Sequence, residues 1–252
     1  MTALAPEREA SGPGDPPALA VEGVSASYGA YRALFDVGFS VGAGEVVALL
    51  GSNGAGKSTV ARVVTGLLPT TSGRIVAEGV DRTGQPAHQL ARAGLVHVVE
   101  GRGIFSRLSV EENLVLAFSQ RTNRREVPAW VEQAYEAFPV LANRRSQRGG
   151  TLSGGEQRML SLAKALVVRP RLLVADELSL GLAPSVIDVV YENLRRINAA
   201  GSALLVVEQH VDRILGLATR GVVLEHGSVA FAGPTAEAVK AVEARLVAAP
   251  VD

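Results

Sequence analysis

Apolar positions recur along this chain with two periods, one of two residues and one of three to four. Leu19 to Tyr28 alternates, with Leu19, Val21, Val24 and Ala26 set against Ala20, Glu22 and Ser25, and it slips at Gly23. It reads as an edge strand. Leu34 to Val41 predicts a second strand. Gly42, Ala43 and Gly44 turn it into Glu45 to Leu50, an unbroken apolar run of the kind buried on both faces. Gly73 to Ala77 predicts a third short strand with a turn at Glu78 and Gly79. This hairpin-rich region is expected to be antiparallel.

His88 to Ala93 reads as a short helix and Leu95 to Val99 as a strand. Glu100, Gly101, Arg102 and Gly103 then form a flexible stretch. Ser109 with Glu112 has the spacing of a capping box, which starts a helix. Pro128 opens another, with Val131, Ala134, Tyr135 and Phe138 spaced i, i+3, i+4, i+7. Residues 105–165 thus predict helices without a strand, and a helical lobe at about 101–168 inserted into an α/β core. The core resumes with Leu172 to Ala175, a buried strand ending at Asp176 and Glu177. Pro184 starts a helix with Val186, Ile187, Val190, Leu194 and Ile197 inward. Ala203 to Val207 is a strand and Gln209 to Ala218 a helix. Gly221 to Glu225 and Ser228 to Ala232 pair around His226 and Gly227, and Thr235 to Val247 is a terminal helix. Strands alternating with helices imply a mostly parallel sheet covered on both faces.

One stretch carries chemistry on its own. Gly51, Ser52, Asn53, Gly54, Ala55, Gly56, Lys57, Ser58 and Thr59 fit G-x-x-x-x-G-K-[ST], the phosphate-binding loop. Glycines let the backbone curl with its N–H groups inward, and the dipole of the helix that follows adds to an anion site. Lys57 supplies a charge for β/γ-phosphates and Ser58 a hydroxyl for Mg²⁺. The strand before the loop and the helix after it are the context the motif needs. Asp176 ends a buried strand at its carboxyl end, where α/β sheets bind ligands. It is expected to hold Mg²⁺ with Ser58, and Glu177 to orient and deprotonate an attacking water. Leu152, Ser153, Gly154, Gly155 and Glu156 admit two readings. Ser153 and Glu156 make a capping box, but two glycines at a helix start also open its N–H groups to an anion.

Composition narrows the alternatives. The chain has 252 residues, 47% of them apolar, which suffices for one large domain. A formal net charge of +0 argues against a nucleic-acid partner. There is no cysteine, so disulfides and Cys-based metal sites are excluded. Pro6, Pro13, Pro16 and Pro17 lie in a stretch without an apolar segment, so residues 1–17 read as a disordered tail rather than a signal peptide, with the domain at 18–252. No apolar run approaches a membrane span. The expected setting is cytoplasmic. His88, His97, His210 and His226 are scattered, with no ligand-like spacing.

The combination of the phosphate loop, Leu152–Glu156 and an Asp176–Glu177 pair some twenty residues later resembles the ATP-binding cassette (ABC) ATPases, from about Leu19 to Ala232. The resemblance implies a head-to-tail dimer closing on two ATP molecules, with Ser153, Gly154 and Gly155 contacting the γ-phosphate bound by the opposite subunit. Tyr28 matches the aromatic that stacks on adenine, and His210 the switch histidine at the γ-phosphate. Within the family the chain is similar to the second type of ATP-binding subunit of branched-chain amino acid importers and to related small-solute importers. The stretches that carry this are Glu100 to Phe105 followed by Leu108 to Leu114, Ser179 to Pro184, and Arg220 to Glu225. That implies separate membrane permease subunits, pairing with a second copy or a related ATPase subunit, an indirect link to a solute-binding protein, and a peripheral place on the inner face of the membrane. The usual glutamine that senses Mg²⁺ is Glu100 here, the prolines near it and after Glu177 are Val99 and Leu178, and a usual aspartate is Ala183. Two other classes remain: a soluble ABC ATPase acting on ribosomes or DNA, and a regulator that binds nucleotide without hydrolysing it.

Overall fold

The computed structural model describes residues 16–99, 103–208 and 214–248. Strands β1 (Leu19–Tyr28), β2 (Tyr31–Val41), β4 (Ser72–Ala77) and β5 (Val80–Asp81) form an antiparallel sheet in the order β2-β1-β4-β5. β1 is therefore interior, not an edge strand. It bonds β2 on one side and β4 on the other, the latter through Ala20↔Val76 and Val21↔Ile75. The slip at Gly23 is a register irregularity between Val21 and Val24, with Gly23 at φ 61°.

A second sheet has the order β10-β9-β3-β8-β7-β6. Its strands are β3 (Val46–Leu50), β6 (Leu95–Val99), β7 (Leu172–Asp176), β8 (Ala203–Val207), β9 (Arg220–Glu225) and β10 (Ser228–Pro234). β3 runs parallel to β8 and β9, and β7 parallel to β8, while β9 and β10 form an antiparallel hairpin. Every residue of β3, β7 and β8 is buried. Their Val, Leu and Ala side chains face apolar neighbours on both sides, which is why these runs do not alternate. Each Val or Leu buried this way contributes roughly 1.5–3 kcal/mol. Helix α1 (Lys57–Val64) packs its Val60, Ala61 and Val64 into the same core. The turn at His226 and Gly227, with φ 47° and 78°, matches a two-residue hairpin with both φ positive. The Gly227 amide donates to the Ala55 carbonyl at 3.0 Å, and its carbonyl accepts from the Phe35 amide at 2.8 Å, so this turn fastens β2 to the phosphate-loop segment.

The remaining helices are α2 (Ala87–Arg92), α3 (Val110–Ser119), α4 (Val127–Ala137), α5 (Pro139–Ala142), α6 (Gly154–Val168), α7 (Pro184–Ala199) and α8 (Thr235–Ala248). Val98–Pro170 and Leu178–Gly201 form one compact unit; the other comprises the described residues up to His97, Arg171–Glu177, and Ser202 onward. α3 and α6 both begin with a complete Ser/Glu capping box, at Ser109–Glu112 and Ser153–Glu156. In the helical unit Phe118 meets Trp130 edge to face at 5.6 Å, and Val131, Ala134, Tyr135 and Phe138 are buried as their spacing requires. The helix expected from Gln209 begins outside the described residues.

Arg220 and Glu45 join the start of β9 to the residue before β3. Nε donates to Oε1 at 2.7 Å, and the Gly42 amide donates to Oε2 at 2.6 Å. Burial alone would raise the Glu45 pKa, but the hydrogen bonds from Arg220 and Gly42 and the Arg220 charge outweigh it and hold it below the ordinary carboxylate value. A carboxyl depressed in the fold stabilises fully above its unfolded pKa of about 4.3 and loses that contribution as pH falls through the folded value. Arg220→Ala should therefore cost about 1–3 kcal/mol at pH 7 by chemical denaturation, and the gap to wild type should close as pH falls below about 4. A gap that stays constant with pH would show that Glu45 is not the partner that matters.

Candidate functional site

Two glycines of the loop after β3, Gly51 and Gly56, stand where any other residue would collide, while a Cβ on Gly54 would meet nothing within 4 Å. A Cβ on Gly51, at φ 148°, would lie 2.4 Å from the Leu224 carbonyl oxygen. Gly56, at φ 107°, would place one 2.9 Å from Leu34 Cδ2. Gly56 is also the N-cap of α1, and it offers no side-chain cap; the first turn carries no acidic residue. The N–H groups of that turn thus lack the side-chain acceptor that α3 and α6 provide for themselves, which leaves an anion site at a helix N-terminus. Lys57 is only 4% exposed, and its Nζ donates to the Gly51 and Ser52 carbonyls, both at 2.9 Å. Burial lowers its pKa, opposed by the negative charges of Glu177, Asp176 and Glu208. A buried cation beside open N–H groups can take a polyphosphate.

The parallel pairing of β3, β8 and β7 brings the end of β7 to this loop. Ser58 Oγ donates to Asp176 Oδ1 at 3.2 Å across 118 residues of sequence. Two oxygen donors side by side suit Mg²⁺, which takes one or two protein oxygens and leaves the rest to water and phosphate. Among the described residues no cluster of three or more His, Cys, Asp or Glu could hold a metal without such help. Glu177 follows at φ 49°, with its amide donating to the Val207 carbonyl at 3.0 Å. A non-glycine residue held in the left-handed region stores strain of a kind that gathers at functional sites. Tyr28, Tyr31, Ala33, Asn53, Lys57 and Glu177 line one open pocket of about 260 Å³. Tyr28 is 40% exposed, and its hydroxyl accepts from Arg62 Nη1 at 3.1 Å.

Gly51 to Thr59, Tyr28, Asp176 and Glu177 thus come together. Ser153, Gly154 and Gly155 lie in the helical unit. There the Ser153 hydroxyl accepts from the Glu156 amide at 3.3 Å and the Ser153 amide donates to Glu156 Oε2 at 2.9 Å, so the capping reading of this stretch holds. Burial would raise the Glu156 pKa, but the Ser153 hydrogen bonds and Arg144, whose Nε sits 2.7 Å from Oε1, bring it down. The two glycines differ. A Cβ on Gly155 would meet Val186 Cγ1 at 2.8 Å, so helix packing demands that one, while nothing lies within 4 Å of a Cβ on Gly154. Glu100 and His210 lie outside the described residues.

Two residues escaped the reading of the sequence. Tyr31 lines the pocket because its register places it opposite Tyr28 across the β1–β2 turn, and a tyrosine at a turn gave no local sign of that. His97 has no ligand-like spacing in the sequence, yet its Nε2 lies 3.7 Å from Asp176 Oδ2. The sheet order makes that contact, and no sequence spacing reveals it.

Known proteins are similar to this chain over most of its length. The ABC transporter family profile matches residues 34–179. The chain is 42% identical over 211 residues to the high-affinity branched-chain amino acid transport ATP-binding protein BraG of Pseudomonas aeruginosa, covering 84% of this chain and 90% of that one. It is 33% identical to a probable branched-chain amino acid transport ATP-binding protein of Archaeoglobus fulgidus, covering 85% of this chain and 91% of that one. It is also 33% identical to the lipopolysaccharide export ATP-binding protein LptB of Escherichia coli, covering 86% of this chain and 91% of that one. Among solved structures, the ADP conformation of an ATP-binding cassette of an ABC transporter superposes with a TM-score of 0.77 at 26% identity, covering 91% of this chain and 95% of the other. The chain belongs to the ABC transporter family of ATP-binding cassettes, whose members bind and hydrolyse ATP.

Proposed function

We propose that this chain is the ATP-hydrolysing subunit of an importer for a small solute such as a branched-chain amino acid, working through separate membrane permease subunits. The observation that carries the importer reading is the identity of 42% over nine-tenths of a branched-chain amino acid transport subunit, against 36% over 69% of a Nod factor export subunit and 33% for the lipopolysaccharide exporter's subunit. No helix of the described residues is long and apolar enough to cross a membrane, which fits a subunit held peripherally on the inner face by its partners. A solute-binding protein would engage those partners rather than this chain, and the balanced charge favours no nucleic acid.

In this reading the amides of Gly51 to Thr59 cradle the phosphates, and Lys57 exchanges its two carbonyl partners for phosphate oxygens. Tyr28 stacks on the base, where a flat ring accepts any π-face. Ser58 and Asp176 hold Mg²⁺, with Glu100 sensing it. Mg²⁺ bound there would neutralise charge on the β- and γ-phosphates. Glu177 holds the attacking water and takes its proton. Ser153, Gly154 and Gly155 present their helix start to the γ-phosphate in a second subunit, and His210 contacts the γ-phosphate in its own. Ser153 would give up part of its capping bond to do so.

Phe105 is 56% exposed, yet its backbone is fixed: the Phe105 amide donates to Asn113 Oδ1 at 2.7 Å and Asn113 Nδ2 donates back to the Phe105 carbonyl at 3.0 Å. A rigid backbone presenting a bare ring suits docking of a membrane subunit better than packing beneath the loop.

Two outcomes test this. Glu177→Gln should bind ATP normally, lose hydrolysis by about 10²–10⁴ and accumulate as a nucleotide-bound dimer by size-exclusion chromatography with MgATP. A variant that turns over at the wild-type rate would remove Glu177 from the chemistry. Phe105→Ala should fold and keep basal ATPase while uptake of labelled leucine by the complex with its co-purifying membrane subunits falls. Transport outward only, or uptake untouched by the substitution, would contradict the importer reading and the docking role respectively.

A further inference from the structure

Tyr28 and Tyr31 face each other across a two-residue turn of Gly29 and Ala30. Gly29 is at φ 58° and Ala30 is not at positive φ, the order of a type II′ hairpin turn. Residues directly opposite in an antiparallel pair put their side chains on one face, with Cβ atoms about 4.5–5.5 Å apart. Both tyrosines accordingly line the pocket that Lys57 also lines. They are held differently. The Tyr28 hydroxyl accepts from Arg62 Nη1, which fixes the far end of that ring. Tyr31 is 70% exposed, and among the described residues its ring meets no other aromatic ring and no cation. One exposed aromatic side chain is ordinary. Two side by side on the wall of one pocket make an apolar surface that a flat ligand can cover. Ala33, two residues on and so on the same face of β2, adds only a methyl group to that wall. Apart from the tyrosine hydroxyls, the polar side chains of the pocket are those of Asn53, Lys57, Ser58 and Thr59 in the phosphate loop, and Glu177. The tyrosines therefore offer flat surface and few groups that could read the edge of a base.

We propose that Tyr31 is a second stacking surface for the nucleotide base beside Tyr28, and that the pair favours a purine over a pyrimidine by ring area. Aromatic partners meet with centroids about 4.5–7 Å apart, so a base stacked on one ring reaches its neighbour. A two-ring base covers both tyrosines, and a one-ring base covers less of the pair. Stacking asks only for a π-face, so adenine and guanine gain alike. This role rests on the reading of Gly51 to Thr59 as a nucleotide site. Tyr31 acts on binding and takes no part in the phosphate chemistry.

The test is calorimetric titration of the full chain with ATP, GTP, CTP and inorganic tripolyphosphate, which has no base, together with steady-state hydrolysis. Tyr31→Ala should weaken ATP and GTP by about fivefold or more, and CTP by less. The loss should fall on KM for MgATP rather than on kcat, and tripolyphosphate should bind as it does to wild type. Tyr31→Phe, which keeps the ring, should bind ATP as wild type does. Equal ATP affinity in wild type and Tyr31→Ala overturns the proposal. An equal loss for tripolyphosphate overturns it too, since the substitution would then have disturbed the phosphate loop and not a contact to the base. A Tyr31→Phe variant as weak as Tyr31→Ala would make the hydroxyl, not the ring, the group that counts, and an equal loss for CTP would remove the selection by ring area. The reading of the site fails separately: wild type that binds neither ATP nor tripolyphosphate sinks it, whereas ATP bound equally by wild type and Tyr31→Ala sinks only the role of Tyr31.

Discussion

Main-chain pairing of β3 with β8 and of β8 with β7 is the constraint on which the site depends. All three strands are fully buried, so every N–H and C=O in them must find a partner in the ladder. Parallel pairing then puts their carboxyl ends on one edge, and the loops that leave those ends converge. Val47↔Leu205 and Leu205↔Val174 set the register that brings Ser58 to Asp176. No local preference of either segment could do this. A one-residue slip would turn the buried faces over and separate the two oxygens.

Helix ends show how the chain divides capping from ligand binding. α3 and α6 satisfy their first turns with serine and glutamate from their own sequence. α1 has glycine instead, and the nearest charge is Lys57, buried against carbonyls it can leave. The same backbone chemistry therefore serves stability in two helices and, in the proposed function, recognition in the third. Ser153 stands between these cases, since its capping bond competes with the contact proposed across a dimer. Glu177, held at positive φ beside this loop, marks where the fold tolerates strain.

Much of this was legible in the sequence because it is local. The phosphate loop, the two capping boxes and the apolar runs of β3, β7 and β8 each fit within a dozen residues. What escaped depends on partners far along the chain. β1 read as an edge strand because its second neighbour, β4, begins more than forty residues after it ends. Gly155 read only as opening helix N–H groups to an anion because Val186, which packs against it, is thirty residues on. His97 read as one scattered histidine because its neighbours, Thr65 and Asp176, come from a helix and a strand that only the sheet order assembles.

Steady-state MgATP hydrolysis by the purified chain, wild type against Lys57→Ala, tests the central claim most directly. Thermal unfolding should show both folded, since among the described residues Lys57 Nζ bonds two carbonyls of its own loop. Wild type should hydrolyse ATP, and the variant should bind it weakly and lose about 10²-fold or more in rate, the scale on which a preorganised charge at a reacting centre counts. A folded Lys57→Ala variant that hydrolyses ATP at the wild-type rate would contradict the account.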